Sequence, residues 1–593
     1  MSTPLTFFHE IIGFTNVSRR RCRGQFFREH MRPFGKCAGS PYGQYSQKME
    51  IVKEPSPLQN FLLFGYNGAT IPLMQRTTLV LAVKIILAAA ILFGFLVINA
   101  KNADPDMGWH LKVGQEVAQT GSLPSPDRYS HTMPGTRWVN HEWLIDAALW
   151  WLSAHNLWWL ATVLSSLLAF LPFFVWIVRA QNFGMLWLAL LGAASITPFL
   201  GVRPQIVSFA FFFFLFELLR RYFEEGRQKK YLWALPAVFL LWANLHAGFF
   251  AGLFLFGAYA GAHAAARWLE DKKLNLRASV FPAAIFTASL AGTFLNAYGW
   301  KLHAMIFQTV LSEENMKYIA EFQPLYSYFD PSIILLTGIA LIFTFRFFKR
   351  YPPSVLAMAL LFLAMAGTSL RHWLFFIIAA QPFLSLGVGY LKNDIVKASG
   401  QKPFSPRTVG ALHAFAVGAF LLLSGCFGYK VVTYHGMPQP EQAAVFLESR
   451  FTKDELLRQV VFNEYGWGGY FIWRVPDIKI FIDGRMPYWV TKEGRPILAE
   501  YMSFFKSEQA QEQLLEKYGV TMLILKNTRW QKENDFWRTH IPAPVQERMR
   551  QSPRLKKFNA WLGGEAAPDV QEGLARHGWR AIYQDSLAVI LIK

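Results

Sequence analysis

The sequence predicts a polytopic α-helical membrane protein with about eleven spans, followed by a C-terminal α/β domain outside the membrane. Of 593 residues, 53% are hydrophobic and only 17% are charged, whereas soluble domains carry about 25% charged residues. Several apolar runs, such as 78–98 and 157–178, have the roughly 20 residues that a helix needs to cross a bilayer. A soluble multi-domain enzyme and a disordered chain are both excluded by this composition.

Eleven apolar segments are candidate spans. Some are short for a full crossing, and we expect tilting or local thinning of the bilayer to absorb the difference. They lie near 78–98, 157–178, 182–200, 205–222, 231–245, 248–266, 279–296, 332–346, 354–369, 373–391 and 408–428.

The connections between these segments carry very different charge on the two sides. Seventeen Lys and Arg residues lie on one side and eight on the other. By the positive-inside rule the richer side is cytoplasmic. We therefore expect a multi-pass plasma membrane protein (the inner membrane in a bacterium), with a cytoplasmic N-terminus and an extracytoplasmic C-terminal domain. This placement also accounts for the net charge of +20, and without a nucleic-acid motif no nucleic-acid partner is expected.

Composition divides the chain into three parts. Residues 1–76 are polar and basic, which predicts a disordered cytoplasmic tail; residues 77–432 form the membrane domain, with its first outer loop at 101–156; residues 433–593 form the outer α/β domain. In that last part the pattern predicts a helix near 440–451 and four short strands. The strands are Val460–Phe462, Lys479–Ile482, Met522–Leu525 and Leu587–Ile592.

Carboxylates are concentrated in the first outer loop. Asp104 and Asp106 directly follow the first span and form a candidate catalytic or metal-binding pair; alternatively, Asp106 only caps the helix predicted over Met107–Thr120. Glu142 and Asp146 are four residues apart and share one helical face, which is either part of a site or simply solvated.

Cations and imidazoles occur in the other connections on the same side. Arg203 and Arg371 stand in very short turns, where each is either a ligand for a lipid phosphate or an interfacial anchor. His246 precedes a glycine and is either a site residue or a packed turn residue. Ionisable groups at membrane depth are energetically unfavourable, and where they occur they usually have a function. We therefore expect a cavity open to the outside. Its histidines would be His110, His141, His246 and His372.

Two segments of the outer domain are dense in glycine and aromatic residues, Phe462–Tyr470 and Phe481–Arg485. Glycine clusters usually serve turns, so we expect these segments to pack on the membrane domain; the alternative is a rim that binds the acceptor. Asp127 follows a proline and is predicted to make a turn.

The whole arrangement resembles the GT-C glycosyltransferases, which include the protein mannosyltransferases and the aminoarabinose transferase of lipid A. The shared features are an acidic pair after the first span, a long first outer loop, many further spans and an outer C-terminal domain. The chain is most similar to a group of bacterial membrane proteins with Asp-x-Asp-x-x-Trp-His-Leu, here at 104–111, and His-Glu-Trp, here at 141–143. The group also carries Asn-Glu-Tyr, Gly-Gly-Tyr and Ile-Asp-Gly-Arg, here between 463 and 485; the resemblance covers about 80–590.

The resemblance implies transfer of a sugar from a polyprenyl-phosphate donor to an extracytoplasmic acceptor, which is a lipid, a glycan or a protein. The base implied is Asp104 or Asp106, with Glu142 as the next carboxylate, and Arg203 or Arg371 would stabilise the leaving phosphate. Some relatives use a divalent metal such as Mg²⁺ or Mn²⁺ and others use none, so the metal stays open. The acceptor-binding signature of the oligosaccharyltransferases is absent.

Two other functions remain as alternatives. A transporter or flippase for lipid-linked sugars would need broken helices in paired repeats, and the sequence has no repeat symmetry. A non-catalytic scaffold for envelope assembly would leave Asp106 as a helix cap and the two arginines as anchors.

Overall fold

The computed structural model describes residues 73–102, 104–123, 126–227, 229–272, 276–398, 406–434, 438–527 and 570–593. The predicted N-terminal tail lies outside the described residues except for its last four positions, which belong to the first helix.

The described part of the chain is mostly helical. In chain order, the α-helices are α1 (Leu73–Lys101), α2 (Met107–Thr120), α3 (Trp143–Ala154), α4 (Trp158–Arg179), α5 (Phe183–Ser195), α6 (Gln205–Phe223), α7 (Lys229–Leu232), α8 (Leu235–Leu245), α9 (Phe249–Asp271), α10 (Leu276–Thr293), α11 (Trp300–Leu311), α12 (Glu313–Tyr318), α13 (Pro331–Phe347), α14 (Pro353–Thr368), α15 (Trp373–Ala398), α16 (Pro406–Thr433), α17 (Glu441–Arg450), α18 (Lys453–Arg458), α19 (Gly468–Arg474), α20 (Ile497–Ser503), α21 (Glu508–Tyr518) and α22 (Val570–Arg576).

A helix lies at each of the eleven positions where the sequence predicts an apolar segment. Within the described residues, five apolar stretches have the length and composition to cross a membrane, and the number of actual spans stays a prediction. The five are Val80–Lys101, Trp158–Arg179, Phe249–Trp268, Pro331–Arg350 and Leu370–Ala398.

Several helix ends and buried polar groups among the apolar helices have hydrogen-bond partners. Proline begins α13, where the Asp330 carboxylate accepts hydrogen bonds from the first backbone N–H groups of the helix. The Asn99 amide donates to Ser166 Oγ at 2.8 Å, which joins α1 to α4. The Trp373 indole donates to Ser195 Oγ at 2.9 Å. These bonds matter because an unpaired buried polar group destabilises by several kcal/mol in an apolar medium.

The C-terminal domain contains a four-stranded sheet in the order β1-β2-β4-β3. The strands are β1 (Val461–Asn463), β2 (Met522–Lys526), β3 (Arg580–Gln584) and β4 (Ala588–Ile592). The first pair is parallel, with Phe462 opposite Leu523, and the other two pairs are antiparallel. Helix α17 matches the predicted helix, and three of the four predicted strands are confirmed within one residue.

The strand predicted at Lys479–Ile482 is wrong. Ile480, Phe481 and Ile482 are buried, as the apolar pattern indicates, but the segment forms only isolated bridges, from Lys479 to Val460 and from Ile480 to Ser130. The segment therefore lies between the start of β1 and the connection from α1 to α4, and it does not form a strand of the sheet. The sequence prediction also missed β3, an edge strand whose side chains are mostly exposed.

Glycines allow the C-terminal domain to touch the connection between α1 and α4 directly. A Cβ atom on Gly108 of α2 would lie 2.0 Å from the Gly469 carbonyl oxygen, so both backbones meet where a larger residue would clash. A buried ion pair between Arg485 and Asp127, at 3.0 Å, links the same two regions. We call the side of the membrane domain that carries residues 104–142 and the C-terminal domain the site side.

Candidate active site

The candidate site starts with the close packing of α2 against α3. A Cβ atom on Gly114 would lie 2.1 Å from the Asp146 carbonyl oxygen, so a side chain at this position would hold the helices apart. One turn earlier, His110 Nδ1 lies 2.7 Å from Asp146 Oδ1. The Asn140 amide donates to the other oxygen of Asp146 at 2.7 Å. Asp146 is thus fully buried and hydrogen-bonded, not part of a solvated helix face.

Glu142 is surrounded by imidazoles. His141 Nε2 and His246 Nε2 both lie 3.3 Å from Glu142 Oε1, and His110 Nε2 lies 3.7 Å from Oε2. Burial alone would raise the pKa of Glu142, but the charge and hydrogen bond of His141, together with the charge of His110, outweigh it and hold the pKa well below its usual range. Glu142 is therefore ionised at neutral pH.

His246 has a defined tautomer, which we assign from its hydrogen bonds. The backbone N–H of Gly248 donates to Nδ1 at 2.9 Å, and the Ser208 hydroxyl lies 2.7 Å from the same nitrogen. The proton of the neutral ring is then on Nε2, which faces Glu142. Burial lowers the pKa of His246 to about 3 despite that carboxylate, so the ring is uncharged. It is both a packed turn residue and a member of the cluster.

The pKa of His110 is shifted in the opposite direction, upward. Burial would lower its pKa, but the charge and hydrogen bond of Asp146, together with Glu142, raise it to about 10. The imidazolium at neutral pH lies between two carboxylates and offsets their charge.

The acidic pair lies directly beside this cluster. Asp104 Oδ1 accepts the backbone N–H of Asp106 at 2.9 Å, and Asp104 Oδ2 lies 3.2 Å from Arg203 Nε. Asp106 occupies the position before α2 but makes no side-chain capping hydrogen bond. The interpretation of Asp106 as only a helix cap is therefore not supported by its contacts.

The C-terminal domain forms one wall around Asp106. A Cβ atom on Gly484 would lie 2.0 Å from Asp106 Oδ1, so only glycine leaves room for the carboxylate. The side chain is half-buried. Burial and the nearby charge of Asp104 raise the pKa of Asp106 to about 7.

The two arginines have different surroundings. Arg203 is buried and pairs with both Asp104 and Glu321, the latter at 2.9 Å. Arg371 lies over the Phe322 ring at 4.3 Å, and no described carboxylate is within ion-pair distance of it. His372 is apart from the cluster: its Nδ1 pairs with the Met365 carbonyl at 3.0 Å, at the end of α14.

Two residues near Asp106 were not predicted from the sequence. Glu321 pairs with Arg203, and the phenol of Tyr465 is close enough to Asp106 and Glu321 that burial and their charges raise its pKa. A lone acid within an aromatic stretch was the only signal for Glu321. Tyr465 lies in a motif that was expected to be structural.

Most of the glycine-rich motif is structural, as expected. Arg485 is buried between Asp127 and Asp483 and is packed by the rings of Tyr129, Trp138 and Trp489. Asp127 also accepts hydrogen bonds from Ser130, which confirms the predicted turn.

A divalent metal fits one part of the cluster. His110, Glu142 and Asp146 each offer one ligand atom, and these atoms lie within 4.8 Å of one another. One imidazole and two carboxylates suit Mn²⁺ better than Mg²⁺, which prefers oxygen ligands alone. The ion would have to displace the proton of His110, so metal affinity would rise with pH.

No protein-family model matches the chain, and no curated protein matches it. Among solved structures, the chain is similar to the oligosaccharyltransferase AglB from Archaeoglobus fulgidus in complex with an inhibitory peptide and a dolichol-phosphate. The identity is 13% and the TM-score 0.47, over 77% of this chain and 70% of that one. It is also similar to that species' enzyme tethered to an acceptor peptide, at 14% identity and a TM-score of 0.48, over 75% and 68% of the two chains. For the apo form of that enzyme the identity is 13% and the TM-score 0.46, over 75% of this chain and 69% of that one. Similarity at this level does not assign an activity to this chain.

Proposed function

We propose that the chain is a membrane glycosyltransferase that moves a sugar from a polyprenyl-phosphate donor to an acceptor on the site side. The charge pattern predicts that this side is extracytoplasmic. The observation that carries the proposal is Asp106, a half-buried carboxylate with a pKa raised to about 7, between the outer loop and the C-terminal domain. A perturbed carboxylate beside further acids and cations is typical of catalytic sites.

Asp106 is the proposed general base. The acceptor hydroxyl gives its proton to Asp106 while its oxygen bonds to the anomeric carbon of the sugar. The bond from that carbon to the phosphate oxygen breaks, and the polyprenyl phosphate leaves with the electron pair. A base whose pKa is near the working pH is both ionised often enough and basic enough to accept this proton.

Arg371 is the proposed contact for the leaving phosphate. It has no described carboxylate partner, whereas the guanidinium of Arg203 is already paired with two. A guanidinium can bind a phosphate with two parallel hydrogen bonds, and it stabilises the charge that develops as the phosphate leaves. Arg203, which we also considered as a donor ligand, would act mainly as a positioning residue. It holds Asp104, and Asp104 in turn holds the backbone of Asp106.

A divalent ion is compatible with this proposal. His110, Glu142 and Asp146 would hold it, and when bound it would polarise the donor phosphate. Without an ion, the His110 imidazolium lies between the other two side chains and offsets one of their two carboxylate charges.

Two observations weigh against the alternatives. The scaffold hypothesis treats Asp106 as a cap, and Asp106 makes no capping hydrogen bond. The transporter hypothesis requires broken helices, whereas α4 and α15 each continue through an internal proline.

The test is a transfer assay with the full chain in liposomes and a panel of radiolabelled polyprenyl-phosphate sugars. We expect release of polyprenyl phosphate together with labelled acceptor. Asp106→Asn should lower the rate by about a hundred- to ten-thousand-fold, whereas Asp454→Asn, an exposed acid of the C-terminal domain, should not. Movement of intact donor between leaflets would instead identify a flippase. If no donor gives either sugar transfer or movement between leaflets, the result would favour the scaffold.

A further inference from the structure

Helix α11 exposes a large apolar surface on the site side. It belongs to the connection between α10 and α13, which the sequence places outside the predicted spans. Trp300 is 66% exposed, Phe307 50% and Leu311 70%. These positions are seven and four residues apart, so the three side chains form one stripe along the helix.

Contacts with two neighbouring helices fix where α11 lies. Phe307 packs edge-to-face against Phe250 with ring centroids 5.2 Å apart, and His303 stacks on Phe294 at 4.1 Å. The His303 Nε2 atom also lies 2.9 Å from the Thr293 hydroxyl. Phe250 is at the first turn of α9, and Thr293 is the last residue of α10. The helix therefore lies across the site-side ends of two apolar helices and does not project away from them.

Further apolar side chains are exposed in the chain segments before and after α11. Before it, Phe294 and Leu295 are exposed at the end of α10; after it, Phe329 is exposed just before α13, and Ile334 and Leu335 continue on that helix. The helix α13 is one of those apolar enough to cross a membrane. Its exposed apolar residues face lipid if it does.

We infer that α11 lies in the membrane leaflet on the site side, parallel to the surface, with its apolar stripe in the acyl chains. At 12 residues the helix is about 18 Å long, too short to cross the roughly 30 Å hydrocarbon core. An amphipathic helix of this kind buries its apolar face at the boundary between headgroups and acyl chains. Trp300 and the exposed Lys301 at its start suit the headgroup level. The same connection carries Glu321 and Phe322, so the lipid contact and the candidate site share one loop.

The experiment measures the surroundings of spin labels in liposomes. Cys22, Cys37 and Cys426 are first replaced by serine, and one label is then placed at Leu311→Cys or Val310→Cys. Labels at Phe345→Cys, on the exposed side of α13, and at Glu512→Cys, on α21, serve as lipid and water references. Collisions with apolar oxygen and with water-soluble nickel chelate are compared by power saturation.

We expect the two α11 labels to show oxygen-to-nickel accessibility ratios well above that of the Glu512 label and close to that of the Phe345 label. A ratio equal to the water reference would overturn the inference. Low accessibility to both reagents would also overturn it, because it would mean that protein, from a second copy or another partner, covers the stripe. Thermal unfolding equal to that of the cysteine-free protein would show that each labelled variant keeps its fold.

Discussion

Replacing Asp106 by Asn separates the catalytic from the structural role of this residue. Asn has nearly the shape of Asp, so the close contact with Gly484 is kept, but it can neither ionise nor accept the acceptor's proton. The substitution should therefore lower activity and at the same time raise stability. A residue that only caps a helix or only packs would not produce both effects.

The size of the stability effect follows from the pKa of Asp106. The fold raises this pKa from 3.8 to about 7, and a shift of about three pH units corresponds to about 4 kcal/mol. Below about pH 4 the carboxyl is protonated in both the folded and the unfolded chain, and the shift has no effect. Between about pH 4 and pH 7 the unfolded chain ionises this carboxyl while the folded protein keeps it protonated, so stability falls by up to about 4 kcal/mol and then stays level above pH 7. Asn removes this loss.

The assay compares the thermal unfolding of wild type and Asp106→Asn in detergent between pH 5 and pH 9. The difference between the two proteins cancels the titration of groups that do not interact with Asp106, and we expect it to increase in favour of Asn from pH 5 to about pH 7 and to stay constant above that. In the same samples, the pH dependence of kcat/KM should show a limb that rises through about pH 7 in wild type and is absent in Asn.

A constant difference in unfolding temperature from pH 5 to pH 9 would refute the raised pKa. Full activity of Asp106→Asn would refute the catalytic assignment, even if the stability effect were found. Asp104→Asn and Glu142→Gln would then be the next carboxylate variants to test.

Other predictions concern the packing, the phosphate contact and the orientation. Gly484→Ala should destabilise by about 1–3 kcal/mol and reduce activity, because its Cβ would meet the Asp106 carboxylate, whereas Gly466→Ala has no atom within 4 Å and should be neutral in thermal unfolding. Arg371→Lys should weaken donor binding about tenfold in a direct binding assay, because lysine loses the two-pronged geometry. In cells with a permeable outer envelope, Glu512→Cys should react with an impermeant thiol reagent and Arg227→Cys should not.

Each of these has an outcome that contradicts it. Equal unfolding temperatures of the two alanine variants would mean that the C-terminal domain does not press on the acidic pair. Unchanged donor affinity in the lysine variant would leave Arg371 as an interfacial anchor. A reversed labelling pattern would place the candidate site in the cytoplasm.

The helices could be predicted because each depends on local sequence. Apolar runs, a proline at the start of α13 and Gly121 at the end of α2 mark helices whatever packs around them. The strand predicted at Lys479–Ile482 was wrong because strand pairing depends on distant residues. Its apolar pattern reports burial correctly, but its backbone partners are Ser130 and Val460, which the local sequence does not reveal.

Most residues of the candidate site could be predicted from their chemical type and position, whereas the contacts between distant segments could not. Asp104, Asp106 and Glu142 stand out as acids beside a membrane, and the structure brings them near His110. The pairing of Arg203 with Glu321 joins two distant connections, and no spacing rule predicts such a contact. His372 looked equivalent to the other histidines in sequence but only pairs with a backbone carbonyl.

The contact between Gly484 and Asp106 joins positions that are synthesised far apart in time. At roughly 5–20 residues per second, the ribosome makes the acidic pair tens of seconds before it makes the glycine that completes the wall. During that interval the membrane helices can insert while Asp106 lacks the wall that residues around Gly484 provide. The complete site, and with it the proposed activity, would then arise only after the C-terminal domain has docked. A chain truncated before residue 438 should insert normally and be inactive.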